Sequence, residues 1–135
     1  MKLIYSKVNP TILCHIVNKK SEILETRTDV CPNDKFLQVS CFYLPLGKTF
    51  KPHKHIENIR TTNITQESWV VISGKIKAIL YDIDDSILSE EILECGDCSI
   101  TFIGGHNYES LEENSTIYEY KTGPYFGQEK DKVFI

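Results

Sequence analysis

The sequence lacks any long apolar run, and none approaches the roughly 20 residues that a membrane-spanning helix needs. It also lacks an excess of positive charge, because 15 Lys and Arg residues stand against 19 Asp and Glu residues. The net charge of −4, with acids and bases interspersed, argues against nucleic acid and against an anionic membrane surface as partners.

Signals of secretion are also missing. The apolar part of residues 1–6 is too short for a signal peptide. The five cysteines are an odd number, so we expect reduced thiols and a cytoplasmic protein. Cys95 and Cys98 form a CxxC, but a structural zinc needs four ligands and no second pair exists. We therefore interpret this CxxC as a turn, without a zinc or redox role.

Repeats and low-complexity segments are absent, and 135 residues suit one domain with its own core. Residues 11–17 could form a buried strand or a short helix, and residues 21–25 could open a helix. From residue 36 onward, short β-rich stretches recur at roughly 8–12-residue spacing between turn signals. They cover residues 36–44, 67–73, 76–81, 87–94, 99–103, 106–111 and 116–121. This pattern predicts an all-β sandwich or barrel over residues 36–135, with residues 1–35 as an N-terminal extension.

The motif with the clearest chemistry is a pair of histidines followed by a carboxylate. His53 and His55 stand two apart, so on an extended strand both imidazoles leave the same face. Glu67 begins the next β-like run. Two imidazoles and a carboxylate that converge on one point form a site for a divalent first-row metal.

The spacing of these residues resembles the first signature of the cupin superfamily. Gly47 is followed after five residues by His53-x-His55, and Glu67 is followed after six residues by Gly74. The resemblance implies a double-stranded β-helix, which is a small jelly-roll barrel. It also implies a metal such as Fe, Mn, Ni or Zn, held by His53, His55, Glu67 and a histidine from a second motif.

The second cupin motif runs Gly, five residues, Pro-x-Gly, two residues, His. It begins here at Gly96, Phe102 stands in the place of the proline, and His106 follows one residue early. We predict His106 as the fourth ligand, because a one-residue deletion in a Gly-Gly turn is tolerated and imidazole is the better ligand. Strict counting would instead select Asn107 or Tyr108.

Residues 56–66 lengthen the usual connection between His55 and Glu67. This insertion could be a lid on which Arg60 meets an anion, or an inert surface loop. Lys51 and Trp69 are further candidates for substrate binding, although Trp69 could equally be plain core. Tyr108, Tyr118 and Tyr120 are candidates for proton transfer, with structural roles as the alternative. His15, in an apolar run, is expected to be a satisfied core or surface histidine.

A closer resemblance lies in the run from Ile117 to Tyr125, which ends in Lys-x-Gly-Pro-Tyr and is soon followed by Asp-Lys. Together with residues 51–55, it resembles the WbuC-type cupin-fold metalloproteins of O-antigen and other surface-polysaccharide gene clusters. The resemblance covers roughly residues 36–132. It implies a bacterial, cytoplasmic, metal-binding cupin linked to sugar assembly.

Three functions follow from this resemblance as hypotheses. The first is a metal-dependent isomerase or epimerase of a sugar or nucleotide-sugar, with the metal as a Lewis acid. The second is a non-catalytic module that binds a sugar or nucleotide-sugar. The third is an Fe(II) dioxygenase. A homodimer is expected by family analogy and because exposed edge strands tend to pair.

Overall fold

The computed structural model describes residues 1–135 and consists of short strands joined by turns and loops. The strands are β1 Lys2–Tyr5, β2 Leu13–Asn18, β3 Arg27–Asp29, β4 Ser40–Phe42, β5 Glu67–Ser73, β6 Lys75–Tyr81, β7 Ile87–Glu94, β8 Cys98–Thr101, β9 His106–Ser110 and β10 Thr116–Lys121. Two single 3₁₀ turns, Lys20–Glu22 and Gln128–Lys130, are the only helical residues. Neither turn has the length and apolar character that crossing a membrane would require.

All strand pairs are antiparallel, and they form two main sheets and one small pair. The larger sheet has the order β1-β2-β8-β5-β10, and the smaller one has the order β7-β6-β9. Strands β3 and β4 pair only with each other. The predicted all-β class is therefore confirmed, and none of the three sheets closes into a barrel.

One core cluster lies between the two main sheets and follows the alternation of the strands. On β6, Ile76, Ala78 and Leu80 are buried, while Lys77 and Ile79 between them are partly exposed. A period of two places successive side chains on opposite faces, so one face of β6 packs inward. These side chains pack in one cluster with Val71 and Leu93. A second cluster forms around Ile16, Ile100 and Phe102.

The N-terminal residues are an integral part of the larger sheet. Of the two structures predicted for residues 11–17, a strand or a short helix, the strand is the one that forms, as β2. All six side chains of β2 are buried. The strand pairs with β1 on one side and with β8 on the other. The helix considered at residues 21–25 does not form, and only the turn Lys20–Glu22 lies nearby.

The segment before β5 has little regular structure. The strand predicted over residues 36–44 is reduced to Ser40–Phe42, and residues 43–66 contain no strand. Residues 49–64 make hydrogen bonds only within their own segment. Strands β9 and β10, at the ends of their sheets, each pair with one neighbour only, so each keeps one free edge.

Candidate functional site

A carboxylate and an imidazole meet between the two main sheets. Glu67 begins β5 in the larger sheet, and His106 begins β9 in the smaller one. The Nε2 atom of His106 lies 3.1 Å from Oε1 of Glu67. The Glu67 side chain is only 7% exposed, and that of His106 is 24% exposed. The fold thus brings together two residues that the metal motif selected.

Two aromatic side chains extend this pair along the same strand faces. Trp69 and Tyr108 each lie two residues after a member of the pair, so the alternation places them on the same faces. Their rings stack with centroids 3.9 Å apart and planes 10° apart. Trp69 Nε1 also donates a hydrogen bond to Oε1 of Glu67. The aromatic stack therefore joins the two sheets directly beside the carboxylate.

Hydrogen bonding stabilises the charged form of the carboxylate. Burial by itself would raise the pKa of Glu67, but the hydrogen bonds from His106 and Trp69 outweigh burial and lower it. Because the ionised carboxylate only accepts, Nε2 of His106 donates the hydrogen bond between the two residues. The Nδ1 atom of His106 is buried and has no hydrogen-bond partner in the protein.

A cavity of about 730 Å³ opens beside these residues. Glu67, Trp69, His106 and Tyr108 line it, together with the turn at residues 103–105 and with residues 131–135. Its volume lies within the usual range for small-molecule sites. The Tyr108 hydroxyl forms a 2.7 Å hydrogen bond with Ser99 Oγ. Burial raises the pKa of Tyr108, so the phenol keeps its proton at neutral pH.

The structure places the His-x-His pair elsewhere. The rings of His53 and His55 lie 5.5 Å apart, both are exposed, and neither lines the cavity. No three His, Cys, Asp or Glu side chains are grouped so that they could hold a metal ion. The four predicted ligands thus form two separate pairs, and their joint site stays a prediction. Among the alternatives for the fourth ligand, His106 is the one that contacts Glu67.

The other candidate residues divide between the cavity and the surface. Arg60 and Lys51 lie exposed on the unpaired segment, outside the cavity. Tyr118 and Tyr120 are 60% and 55% exposed and do not line the cavity either. Glu119, between them, does line it. The alternation on β10 was visible in the sequence, but not which set faced inward.

Residues 131–135 also form part of the cavity wall. Within them, the sequence offers only the Asp-Lys pair at 131–132, which belongs to the family resemblance and predicts no place in the cavity. These residues lie in no strand, so they have no periodicity that would indicate a buried face.

A buried histidine supports the wall of the cavity. His15 is 0% exposed, and both its ring nitrogens are hydrogen-bonded. Nδ1 lies 3.0 Å from Thr101 Oγ1, and Nε2 lies 2.8 Å from the carbonyl oxygen of Tyr81. Burial lowers the pKa of His15 to about 4. The expectation of a satisfied core histidine is confirmed.

Comparison of the chain with protein-family models, with curated proteins and with solved structures gives no match. The class that the fold itself defines is an all-β protein of antiparallel sheets. Its candidate site is a carboxylate–imidazole pair at a cavity between two of these sheets.

Proposed function

We propose that this protein is a metal-binding cupin of the WbuC type that isomerises or epimerises a sugar or nucleotide-sugar in bacterial surface-polysaccharide assembly. The observation that carries the proposal is the contact between Glu67 and His106 at the cavity wall. These residues come from different cupin motifs, lie 39 positions apart, and meet on facing sheets.

The course of the chain supports a jelly roll. Strands β5, β8 and β10 lie in the larger sheet, while β6, β7 and β9 lie in the smaller one, so the chain crosses between the sheets repeatedly. A closed jelly roll needs further strands on the free edges of β9 and β10. Residues 36–56, which precede β5 and are largely unpaired, are the part of the chain available for this role.

The residues fit a metal in their chemistry, although the structure describes them as two pairs. The Nδ1 atom of His106 is buried and has no hydrogen-bond partner, which is costly unless a ligand contacts it. The Oε2 atom of Glu67 accepts no hydrogen bond from the protein, since both Trp69 and His106 bond to Oε1. We propose that His53 and His55 join these two residues when residues 51–55 pair with the free edge of β9 and a metal replaces the hydrogen bond between His106 Nε2 and Glu67 Oε1.

A bound first-row metal would supply a Lewis acid that polarises a sugar carbonyl. The protein residues have separate tasks. Trp69 and Tyr108 offer apolar surface to a sugar ring. Tyr108 is the only one of the three tyrosine candidates that lines the cavity, and burial keeps its phenol protonated, so it can serve as a hydrogen-bond donor but not as a base.

The first test is metal content, measured by plasma mass spectrometry on untagged protein. We expect wild type to carry a near-stoichiometric first-row metal, and His53→Ala and His106→Ala each to lose it. Lys54→Ala, in the same exposed segment as His53, is the matched control and should keep the metal. If His106→Ala keeps the metal while His53→Ala loses it, the site has three of the proposed ligands, namely His53, His55 and Glu67. If wild type cannot be loaded, the metal-dependent proposal fails.

The second test is enolisation of a substrate in deuterated water. From a panel of keto-sugars, free and nucleotide-linked, the metal-loaded protein is expected to exchange the proton next to the carbonyl of at least one, and proton NMR detects the loss of that signal. The heat-unfolded protein with the same metal is the control for catalysis by free metal. Absence of both exchange and binding for every keto-sugar would contradict an isomerase or epimerase.

A non-catalytic sugar-binding protein is the second candidate, because the His-x-His pair lies apart from Glu67 and His106. It predicts saturable binding of a sugar or nucleotide-sugar without proton exchange. Oxygen consumption with ferrous iron would instead support the dioxygenase hypothesis.

A further inference from the structure

The cavity beside Glu67 is strongly acidic. Five carboxylates belong to its lining residues, against one lysine. The carboxylates are those of Glu67, Asp82, Asp85, Glu119 and Asp131, and the lysine is Lys132. Each negative charge on a ligand meets net repulsion from such a lining as a whole, so a ligand with two or more charges is disfavoured more than one with a single charge. A polyhydroxy compound would instead find many acceptors for its hydroxyl groups.

Several of these carboxylates already have partners within the protein. Asp82 accepts hydrogen bonds from three backbone N–H groups, at residues 7, 8 and 83. Lys121 Nζ lies 3.3 Å from Glu119 and 3.6 Å from Asp131. Thr65 donates a 2.5 Å hydrogen bond to Asp131. Lys121 itself does not line the cavity, so it neutralises these acids from outside.

Lys132, in contrast, is exposed and has no ion pair within 4 Å and no side-chain hydrogen bond, and its charge helps to lower the pKa of Glu67. Its backbone is nevertheless held on both sides. Asp131 is tied to Thr65, and Ile135 packs so closely on the turn that a Cβ atom at Gly105 would lie 2.6 Å from its Cδ1 atom. An unpaired ammonium group is thus held at a cavity with otherwise acidic walls.

We propose that Lys132 is a specificity-determining residue that binds the carboxylate of a sugar acid in this cavity. The inference rests on the proposed function, since it assumes that the cavity receives a sugar. A sugar acid carries one negative charge for Lys132 and several hydroxyl groups for the acidic walls. A nucleoside diphosphate sugar brings at least two negative charges into the same lining, so it is disfavoured.

Calorimetric titration of the purified protein tests this assignment. The probes are D-glucuronate, D-glucose and UDP-glucose, which carry one, no and two negative charges on the same type of sugar. We expect glucuronate to bind wild type more tightly than the other two. The exchange Lys132→Met should weaken glucuronate binding about tenfold or more, because a charge-assisted hydrogen bond is lost, and should leave glucose binding unchanged.

Lys130→Met is the matched control, because Lys130 carries the same charge two residues earlier and does not line this cavity. It should bind all three probes as wild type does. The role of Lys132 would be overturned if wild type and Lys132→Met bound glucuronate with equal affinity. It would also be overturned if Lys130→Met weakened glucuronate binding as much as Lys132→Met does, or if wild type bound UDP-glucose more tightly than glucuronate. If glucose binds, such a result leaves the proposed sugar function intact. If none of the probes binds, the sugar-binding cavity and the assignment of Lys132 fall together.

Discussion

Replacement of Gly104 by alanine is expected to lower the free energy of unfolding by about 2–4 kcal/mol. Gly104 has a φ of +89°, a region that L-residues adopt only at a cost. A Cβ atom there would lie 2.5 Å from the carbonyl oxygen of Tyr81 and 3.3 Å from Nε2 of His15. The clash is with backbone and with a fully buried ring, so neither neighbour can move away freely.

Gly47 separates the strain of the backbone from the clash. Gly47 also has a positive φ, of 78°, but a Cβ atom there would meet nothing within 4 Å. Gly47→Ala should therefore cost only the backbone strain, about 1–2 kcal/mol. Urea unfolding followed by far-UV circular dichroism measures both variants. A loss in Gly104→Ala no greater than in Gly47→Ala would contradict the close packing of this turn.

The hairpin of β6 and β7 shows what the sequence was able to predict. Ile76 and Ala78 alternate with Lys75 and Lys77, and Leu80 continues the same face, which is sufficient to predict a strand with one buried face. Residues 82–86 carried the turn signal, and the structure places Asp85 there with a φ of 67°. Both signals are local, so they do not depend on how distant parts of the chain pair.

The segment before β5 shows why the rest was not predicted. Residues 36–44 are β-rich in composition, but a strand needs a partner, and local sequence does not determine long-range pairing. Only Ser40–Phe42 pairs, with β3. The motif spacing selected Glu67 and His106, which the structure brings together, whereas the cavity residues Glu119 and Lys132 carried no motif. Whether Glu119 and Lys132 line the cavity depends on which face of β10 and which side of residues 131–135 is turned toward it.

Acid is expected to destabilise the protein through His15. The folded pKa of about 4 lies below the value of about 6.5 for an unfolded histidine. The unfolded chain therefore binds a proton that the folded chain excludes between these two values, and the free energy of unfolding falls as the pH falls from 6.5 to 4. The shift corresponds to a loss of about 3 kcal/mol over this window. Above pH 6.5, His15 makes no contribution to the pH dependence.

The physical cause is burial, which penalises the charged imidazolium, while the hydrogen bond to the Tyr81 carbonyl works in the opposite direction and raises the pKa. The Tyr81 carbonyl only accepts, so Nε2 carries the proton, and Nδ1 accepts from the Thr101 hydroxyl. A second proton on Nδ1 would require the Thr101 hydroxyl to turn from donor to acceptor, and it would place a charge in the core. The nearby charge of Asp82 favours protonation and that of His106 opposes it, and burial outweighs both.

His15→Gln removes the titration while its amide can still donate to the Tyr81 carbonyl. The variant is expected to be less stable than wild type at pH 7, and the difference should shrink by about 3 kcal/mol as the pH falls to 4. The carboxylates titrate in both proteins, so their contribution cancels in this difference. A stability difference between His15→Gln and wild type that stays constant from pH 7 to pH 4 would contradict a neutral, fully hydrogen-bonded His15.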